Sequence, residues 1–270
     1  MHRRTDMTNY ASIDALNWSS LKLMADSPLM YQWRQEHPRP DTKSLSLGRK
    51  EHMAVLEPER YEQDCVRRPA EWDSWRTKAS KEWRDEQTAA GKEVMNDAEA
   101  DKIELIRNAI YGHADAMRRL AGTRREESIV WTVDGVRCKG RVDAIASDRV
   151  VDLKTTRNLG LFVRRDAGAY LYHGQLAWYL DGAISAGACS PDAQAYAIAV
   201  ETEPPYDCAC FALDGWYVEE GRALWKDLLE QWISCRDAGV WPGRYPNETP
   251  LQFKMWSRYE PSASMEDIDV

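Results

Sequence analysis

The stretch of residues 128–156, SIVWTVDGVRCKGRVDAIASDRVVDLKTT, constrains the fold more than any other part of the chain. It alternates apolar and polar residues and is rich in valine and isoleucine, the pattern of half-buried strands. Asp134-Gly135 is a strong hairpin turn. Strands are therefore expected over 128–133, 136–145 and 150–154, forming a meander. If the second turn centres on Ser147-Asp148, residues whose numbers sum to 295 face each other. Asp143 then lies opposite Asp152, and Arg141 opposite Lys154, on one face; Val142, Ala144, Val151 and Leu153 form an apolar set on the other.

Directly opposed side chains have Cβ atoms about 4.5–5.5 Å apart, and like charges at that distance repel. Two carboxylates are tolerated there if they are exposed, if one is protonated, or if a cation sits between them. Converging oxygen ligands suit Mg2+ or Mn2+. A protonated lysine beside them cannot ligate, but it can orient a water or stabilise charge developing on a phosphate. Two carboxylates, a lysine and a divalent ion make a phosphodiester-hydrolysis site. Alternating charge is equally the pattern of a solvated strand face, and this segment alone leaves both readings open.

Around the meander the chain reads as helices and strands. A helical entry is expected over 11–35, with Ser27-Pro28 stopping or restarting it. A second helix runs from Leu45 to Glu57 and is closed by Pro58, with Gly48 and His52 four apart on one face. Residues 61–90 read as irregular and tryptophan-rich. One long helix is expected over 95–120, burying Ile103, Ile106, Ala109, Ile110 and Met117. After the meander come a helix over 168–186, strands over 193–201 and 208–213, and a helix over 215–238 with Trp216, Leu224, Leu228 and Trp232 inward. The order implies an α/β or α+β core behind a helical N-terminal part. The acidic tail from Pro261, with Glu266, Asp267 and Asp269, is expected to be disordered and solubilising.

A net charge of −8 argues against a protein that coats nucleic acid non-specifically. It leaves room for an enzyme with a local basic channel. The pairs Arg67-Arg68, Arg118-Arg119, Arg124-Arg125 and Arg164-Arg165 matter only if they converge. The six cysteines, at 65, 138, 189, 208, 210 and 235, lack the paired spacing of structural zinc and read as reduced. No apolar run approaches the ~20 residues that span a bilayer. The opening MHRRTDMTNY lacks the apolar stretch of a secretory signal, so a cytoplasmic protein without membrane contact is expected. The twelve tryptophans are expected mainly in the core or at subunit contacts, with a few available to stack on bases.

Four further residues fit a metal-dependent site, each with an ordinary structural alternative. Glu127 begins the first meander strand and can reach the same edge. His52 is a potential metal ligand or a core histidine. Gln175 and Tyr179, four apart on one helix face, can address one site or pack an interface.

Taken in order, these segments resemble the RecE-like exonucleases, the exonuclease VIII type found in phages and prophages, within the PD-(D/E)XK nuclease superfamily. The resemblance covers nearly the whole chain. It rests on Ser20-Leu21 with Asp26-Ser-Pro28, Leu47-Gly-Arg-Lys-Glu-His52, Leu56-Glu-Pro-Glu-Arg-Tyr61 and Glu127-Ser-Ile-Val-Trp131. It continues through Cys138-Lys-Gly-Arg-Val-Asp143, Val151-Asp-Leu-Lys-Thr-Thr156, Tyr172-His-Gly-Gln-Leu-Ala-Trp-Tyr179 and Trp241-Pro-Gly243 followed by Trp256. No single motif is specific, but the combination is. One departure is Val142, which stands where the superfamily name has proline; that position lies on the apolar face.

The resemblance implies a central mixed sheet flanked by helices. It implies one nuclease domain over 1–260, mainly helical to 120, catalytic over 121–240 and extended over 241–260. Asp143 and Asp152 resemble the metal-binding carboxylates, and Lys154 the catalytic lysine. His52 resembles an additional metal ligand, with the backbone carbonyl at Asp152–Leu153 nearby. Gln175 and Tyr179 resemble the motif residues of the following helix, and Glu127 assists the metal. The implied activity is Mg2+-dependent resection of one strand of linear double-stranded DNA, 5′→3′, with Mn2+ able to substitute. A homo-oligomeric ring (trimer or tetramer) and a RecT-like single-strand annealing protein are the implied partners, in DNA recombination. Arg34, Arg49 and Lys50 lie near the expected 5′-phosphate pocket. Three other readings differ in testable ways. An iron–sulfur nuclease needs grouped cysteines, a sequence- or structure-specific endonuclease cuts circular DNA, and a DNA-end-binding scaffold binds without cutting.

Overall fold

The computed structural model describes residues 7–38, 40 and 42–250. Trp256 and the acidic tail lie outside the described residues, as does the end of the C-terminal extension. Eight strands and nine named helices are introduced in chain order. They begin with α1 (Met7–Ser12), β1 (Leu16–Asn17) and α2 (Pro28–Glu36), followed by α3 (Lys43–Leu56), α4 (Pro58–Asp64) and β2 (Cys65–Arg67). Next are α5 (Lys78–Ala89), β3 (Glu93–Met95), α6 (Asp97–Gly112), α7 (Ala114–Leu120) and the meander β4 (Arg124–Val133), β5 (Val136–Ala146) and β6 (Arg149–Thr156). The chain then forms α8 (Tyr172–Ser185), β7 (Gln194–Glu201), β8 (Cys208–Ala212) and α9 (Gly215–Ala238).

The main sheet is mixed. β5 pairs antiparallel with β4 and β6, β6 runs parallel to β7, and β8 closes the far edge antiparallel to β7. β1 pairs parallel with β5 at Cys138 and Lys139. A separate two-stranded sheet joins β2 and β3. Helices cover both faces, as parallel β6–β7 pairing requires. On one face, Trp18, Leu176, Trp178, Trp225 and Leu229 pack over Ile129, Cys138, Ile145 and Val150. On the other, Val55, Leu56, Ile106 and Ile110 pack over Ala144, Val151, Leu153 and Ile198. The tryptophan expectation holds for Trp18, Trp131 and Trp225, whose rings meet Trp178 tilted or edge to face in the first core.

The local causes are legible. Asn17 caps the turn Trp18–Leu21 by accepting Ser20 N–H, and Ser27 caps α2 with Pro28 in its first turn. Chain entry is thus several short pieces joined by a strand, rather than one helix. Asn96 and Glu99 form a reciprocal capping box on α6.

Four expectations need correction. Residues 61–90 contain α5, started by Thr77, whose side chain accepts Ser80 N–H. The long helix over 95–120 breaks at His113, whose Nδ1 caps α7, so the second piece buries Ala116 and Leu120 and leaves Met117 exposed. The helix expected from 168 starts at Tyr172, because Leu171 adopts left-handed φ of 57°. In α9 the buried stripe is Val218, Gly221, Trp225 and Leu228/Leu229, which leaves Trp216 off the stripe and 63% exposed.

Two glycines set the spacing of the α8 layer. A Cβ on Gly182 would lie 2.6 Å from the Trp131 ring, and one on Gly221 would lie 2.3 Å from the His173 carbonyl oxygen. α8 therefore sits close to both the sheet and α9.

Candidate active site

The β5–β6 pairing runs through Ala144–Val151, Ile145–Val150 and Ala146–Arg149. These pairs obey the expected register, with the turn at Ser147-Asp148. The ladder stops short of Asp143 and Asp152. The same edge of β5 is taken up again by β1 at Cys138 and Lys139, so strand pairing lapses between 140 and 143. Asp143 uses that gap: its Oδ2 accepts the backbone N–H of Leu153 at 2.7 Å. The carboxylates are thus not a simple cross-strand pair, and Arg141 does not face Lys154.

A second irregularity lies on the other edge. β4–β5 pairing skips Glu126 and Asp143 between Arg125–Ala144 and Glu127–Val142. Glu126 has φ of 50°, an uncommon conformation for a residue with a Cβ. The alternation changes phase here. Val142 packs with Cys138 and Ile145 on one face, and Ala144 with Val151 and Leu153 on the other. The single apolar set expected on the hairpin is therefore split.

The phase change decides which glutamate enters the site. Even alternation pointed to Glu127. In the structure Glu127 pairs with Arg124 at 3.4 Å, and Glu126 joins His52 and Asp143. One ligand atom from each of these three lies within 4.8 Å of the others. They are the one group of three or more His, Cys, Asp or Glu ligands found together among the described residues. Cysteines therefore form no such cluster there, as a metal–sulfur centre would need. The adjacent Glu126-Glu127 pair was visible in sequence, but the left-handed residue that selects between them was not.

His52 is delivered by α3. Val55 and Leu56, one turn on, are buried against the sheet and hold that helix face down. His52 Nδ1 lies 3.8 Å from Asp143 Oδ2. Burial and the nearby Lys154 charge hold the imidazole below its usual pKa, favouring the neutral form that ligates metals. Burial, then the charge of Asp152, pushes Asp143 up to about 7. Burial, then Asp143, pushes Glu126 up to about 7. Arg141 offsets part of this through an ion pair of 2.6 Å with Glu126. Two half-buried carboxyls that repel each other beside a neutral imidazole form a donor set that fits a hard divalent cation.

Asp152 is buried and is held by two neighbours. Lys154 Nζ lies 2.5 Å from its Oδ2, and Gln175 Nε2 lies 3.3 Å from its Oδ1. Burial alone would lower the Lys154 pKa, but Asp152 and Asp143 outweigh it and raise the value. Lys154 is thus an ammonium. Gln175 also donates to the Tyr179 hydroxyl at 3.2 Å, so α8 presents both residues to this side of the site. Tyr179 lies against Gly140, where a Cβ would come within 3.0 Å of the ring. Burial raises the Tyr179 pKa well above its usual value, with Asp152 and Asp143 adding to the effect. Leu153 has a buried side chain and contributes its backbone N–H to Asp143.

A cleft of about 640 Å³ opens on the His52 side. Arg49, Lys50, Arg60 and Arg141 line it together with Glu57, Asp64 and Glu93. Lys50 is buried and lies 3.5 Å from Glu93. Arg34 is not among the lining residues: its guanidinium lies 4.6 Å from the Trp33 ring centroid and donates to the His37 carbonyl.

No curated protein matches the chain in sequence. Among solved structures, a candidate exonuclease from Eubacterium rectale shares the fold with a TM-score of 0.65. The match covers 93% of this chain and 97% of that one at 13% identity. The PDDEXK-like domain of unknown function (DUF3799) matches residues 17–248. The mixed sheet flanked by helices belongs to that fold, and the chain is a member of the PDDEXK-like DUF3799 family.

Proposed function

We propose that this protein is a divalent-metal-dependent exodeoxyribonuclease that resects one strand of linear double-stranded DNA. The observation that carries this is the meeting of His52, Glu126 and Asp143 with the Asp152–Lys154 pair at the gap where β5 loses its partner.

Glu126 and Asp143 supply hard oxygen donors, His52 a neutral nitrogen, and Asp152 completes the set from the other strand. These residues would hold a divalent ion, Mg2+ or in its place Mn2+, whose chemistry there would be to lower the pKa of a water and offset negative charge at the phosphate. Lys154 Nζ, anchored by Asp152, orients the attacking water in line with the scissile phosphate. Gln175 fixes the Asp152 carboxylate and Tyr179 fixes Gln175, so the lysine has a rigid mount. Arg141 keeps Glu126 turned toward the cluster. Arg49, Lys50 and Arg60 give the cleft cationic groups suited to a terminal phosphate.

The 5′→3′ polarity, a ring of identical subunits around the duplex and an annealing partner of RecT type complete the proposal. They rest on the resemblance to RecE-like exonucleases. A ring also accommodates the net charge of −8, with acidic groups outward and the cleft facing DNA. The deciding experiment uses linear duplex DNA labelled at one 5′ end, with and without Mg2+, beside an intact circle. Release of 5′-labelled mononucleotides from the linear DNA alone, and only with metal, is the expected result. Cutting of the circle would make the protein an endonuclease, and binding without cutting would leave it a scaffold.

A further inference from the structure

Past the metal-ligand cluster, on the Lys154 side, the structure has an unusual connection. Between β6 and α8 the chain makes a wide turn over Phe162–Asp166, in which the N–H of Ala167 reaches back five residues to the Phe162 carbonyl. Such π-type turns cluster at functional sites. Leu171 follows in the left-handed region, a costly place for a branched side chain. Together they bring four aromatic rings into a row. Phe211 stacks on buried Phe162 at 5.8 Å, Phe162 on Tyr172 at 5.7 Å, and Tyr172 meets Tyr170 at 5.7 Å. The inner end is anchored in the fold, whereas Tyr170 at the outer end is 56% exposed. Lys154 Nζ sits 4.7 Å from the Tyr172 ring centroid, so the outer half of the row borders the lysine of the proposed site. Arg164 and Arg165 lie exposed on the same connection.

We propose that Tyr172 and Tyr170 form a shelf on which an unpaired base of the cleaved strand stacks beside the scissile phosphate. The inference rests on the nuclease reading and adds a binding surface to it. A row of anchored rings ending in an exposed tyrosine has the shape of a base platform, sequence-tolerant because every base has a π-face. The flanking arginines match the charge of the sugar–phosphate backbone. Tyr170 leans on Tyr172 through one ring contact and still leaves more than half of its surface open to a ligand.

The test compares Tyr170→Ala, Tyr170→Phe and Tyr217→Ala in the full chain, Tyr217 being 52% exposed on α9 as a control. Steady-state cleavage of linear duplex DNA is measured with Mg2+, and metal-free binding of a fluorescent oligothymidylate by anisotropy. Loss of one stacked base raises KM about tenfold and weakens oligothymidylate binding by a similar factor in Tyr170→Ala. In the same variant kcat stays within about twofold, while Tyr170→Phe and Tyr217→Ala follow the wild type. Cleavage by the wild type with equal KM in Tyr170→Ala and Tyr217→Ala overturns the shelf and leaves the nuclease standing. If the wild type does not cut, oligothymidylate binding decides: weaker binding by Tyr170→Ala retains the shelf, and equal or absent binding overturns it.

Discussion

Replacing Gly221 by alanine tests how tightly α8, which carries Gln175 and Tyr179, is clamped. The new Cβ would stand 2.3 Å from the His173 carbonyl oxygen and 2.8 Å from the Ala177 Cβ. A carbon–oxygen contact needs about 3.3 Å, so the helices must part by about 1 Å at this point. Neither obstacle is the tip of a flexible side chain. Overpacking of this kind costs about 1–3 kcal/mol, and an unyielding backbone places it near 3. Alanine in a helix interior returns about 1 kcal/mol relative to glycine. The net loss is about 2 kcal/mol, or about 4 °C in Tm for a chain of this size. The displaced helix also draws Gln175 from Asp152, now 3.3 Å away, so nuclease activity falls further than stability alone requires. Gly112→Ala is the control: it ends α6 with nothing within 4 Å of the new Cβ, and its Tm should hold or rise. Differential scanning calorimetry of the two variants decides the matter. A Gly221→Ala protein as stable as the wild type would refute the close-packed helix pair.

Other expectations follow from the site. Asp143→Ala and Lys154→Ala abolish metal-dependent cleavage of linear DNA while circular dichroism stays native, and full activity in either would remove the proposed site. Glu126→Gln weakens Mn2+ binding by calorimetry far more than Glu127→Gln does; the reverse order would restore Glu127 to the cluster. Arg141→Met, which frees Glu126 from its ion pair, lowers Mn2+ affinity about 10–100-fold, as loss of a ligand-orienting partner does. Mg2+ at about 100 times its dissociation constant stabilises by about 2.7 kcal/mol, so Tm rises and EDTA reverses it; an unchanged Tm would mean that the cluster holds no ion.

Local rules in the sequence determined much of this protein. The Asp134-Gly135 turn, the meander and the Ser147-Asp148 centre followed from strand alternation and turn chemistry, both read within a few residues. The i, i+4 spacing of Gln175 and Tyr179 likewise placed both on one helix face, and the structure brings them to Asp152. What local rules miss is where a strand breaks its rhythm. Left-handed Glu126 shifts the alternation of β4 and β5, so Glu126 rather than Glu127 meets His52 and Asp143. Asp143 bonds the Leu153 backbone because β5 has run out of partner there. These outcomes depend on how β1, β6 and β7 share the sheet edges, contacts separated by up to about 120 residues, which no short window of sequence contains. The residue types for the chemistry were thus set by sequence, and their convergence was decided by tertiary packing around a gap in the sheet.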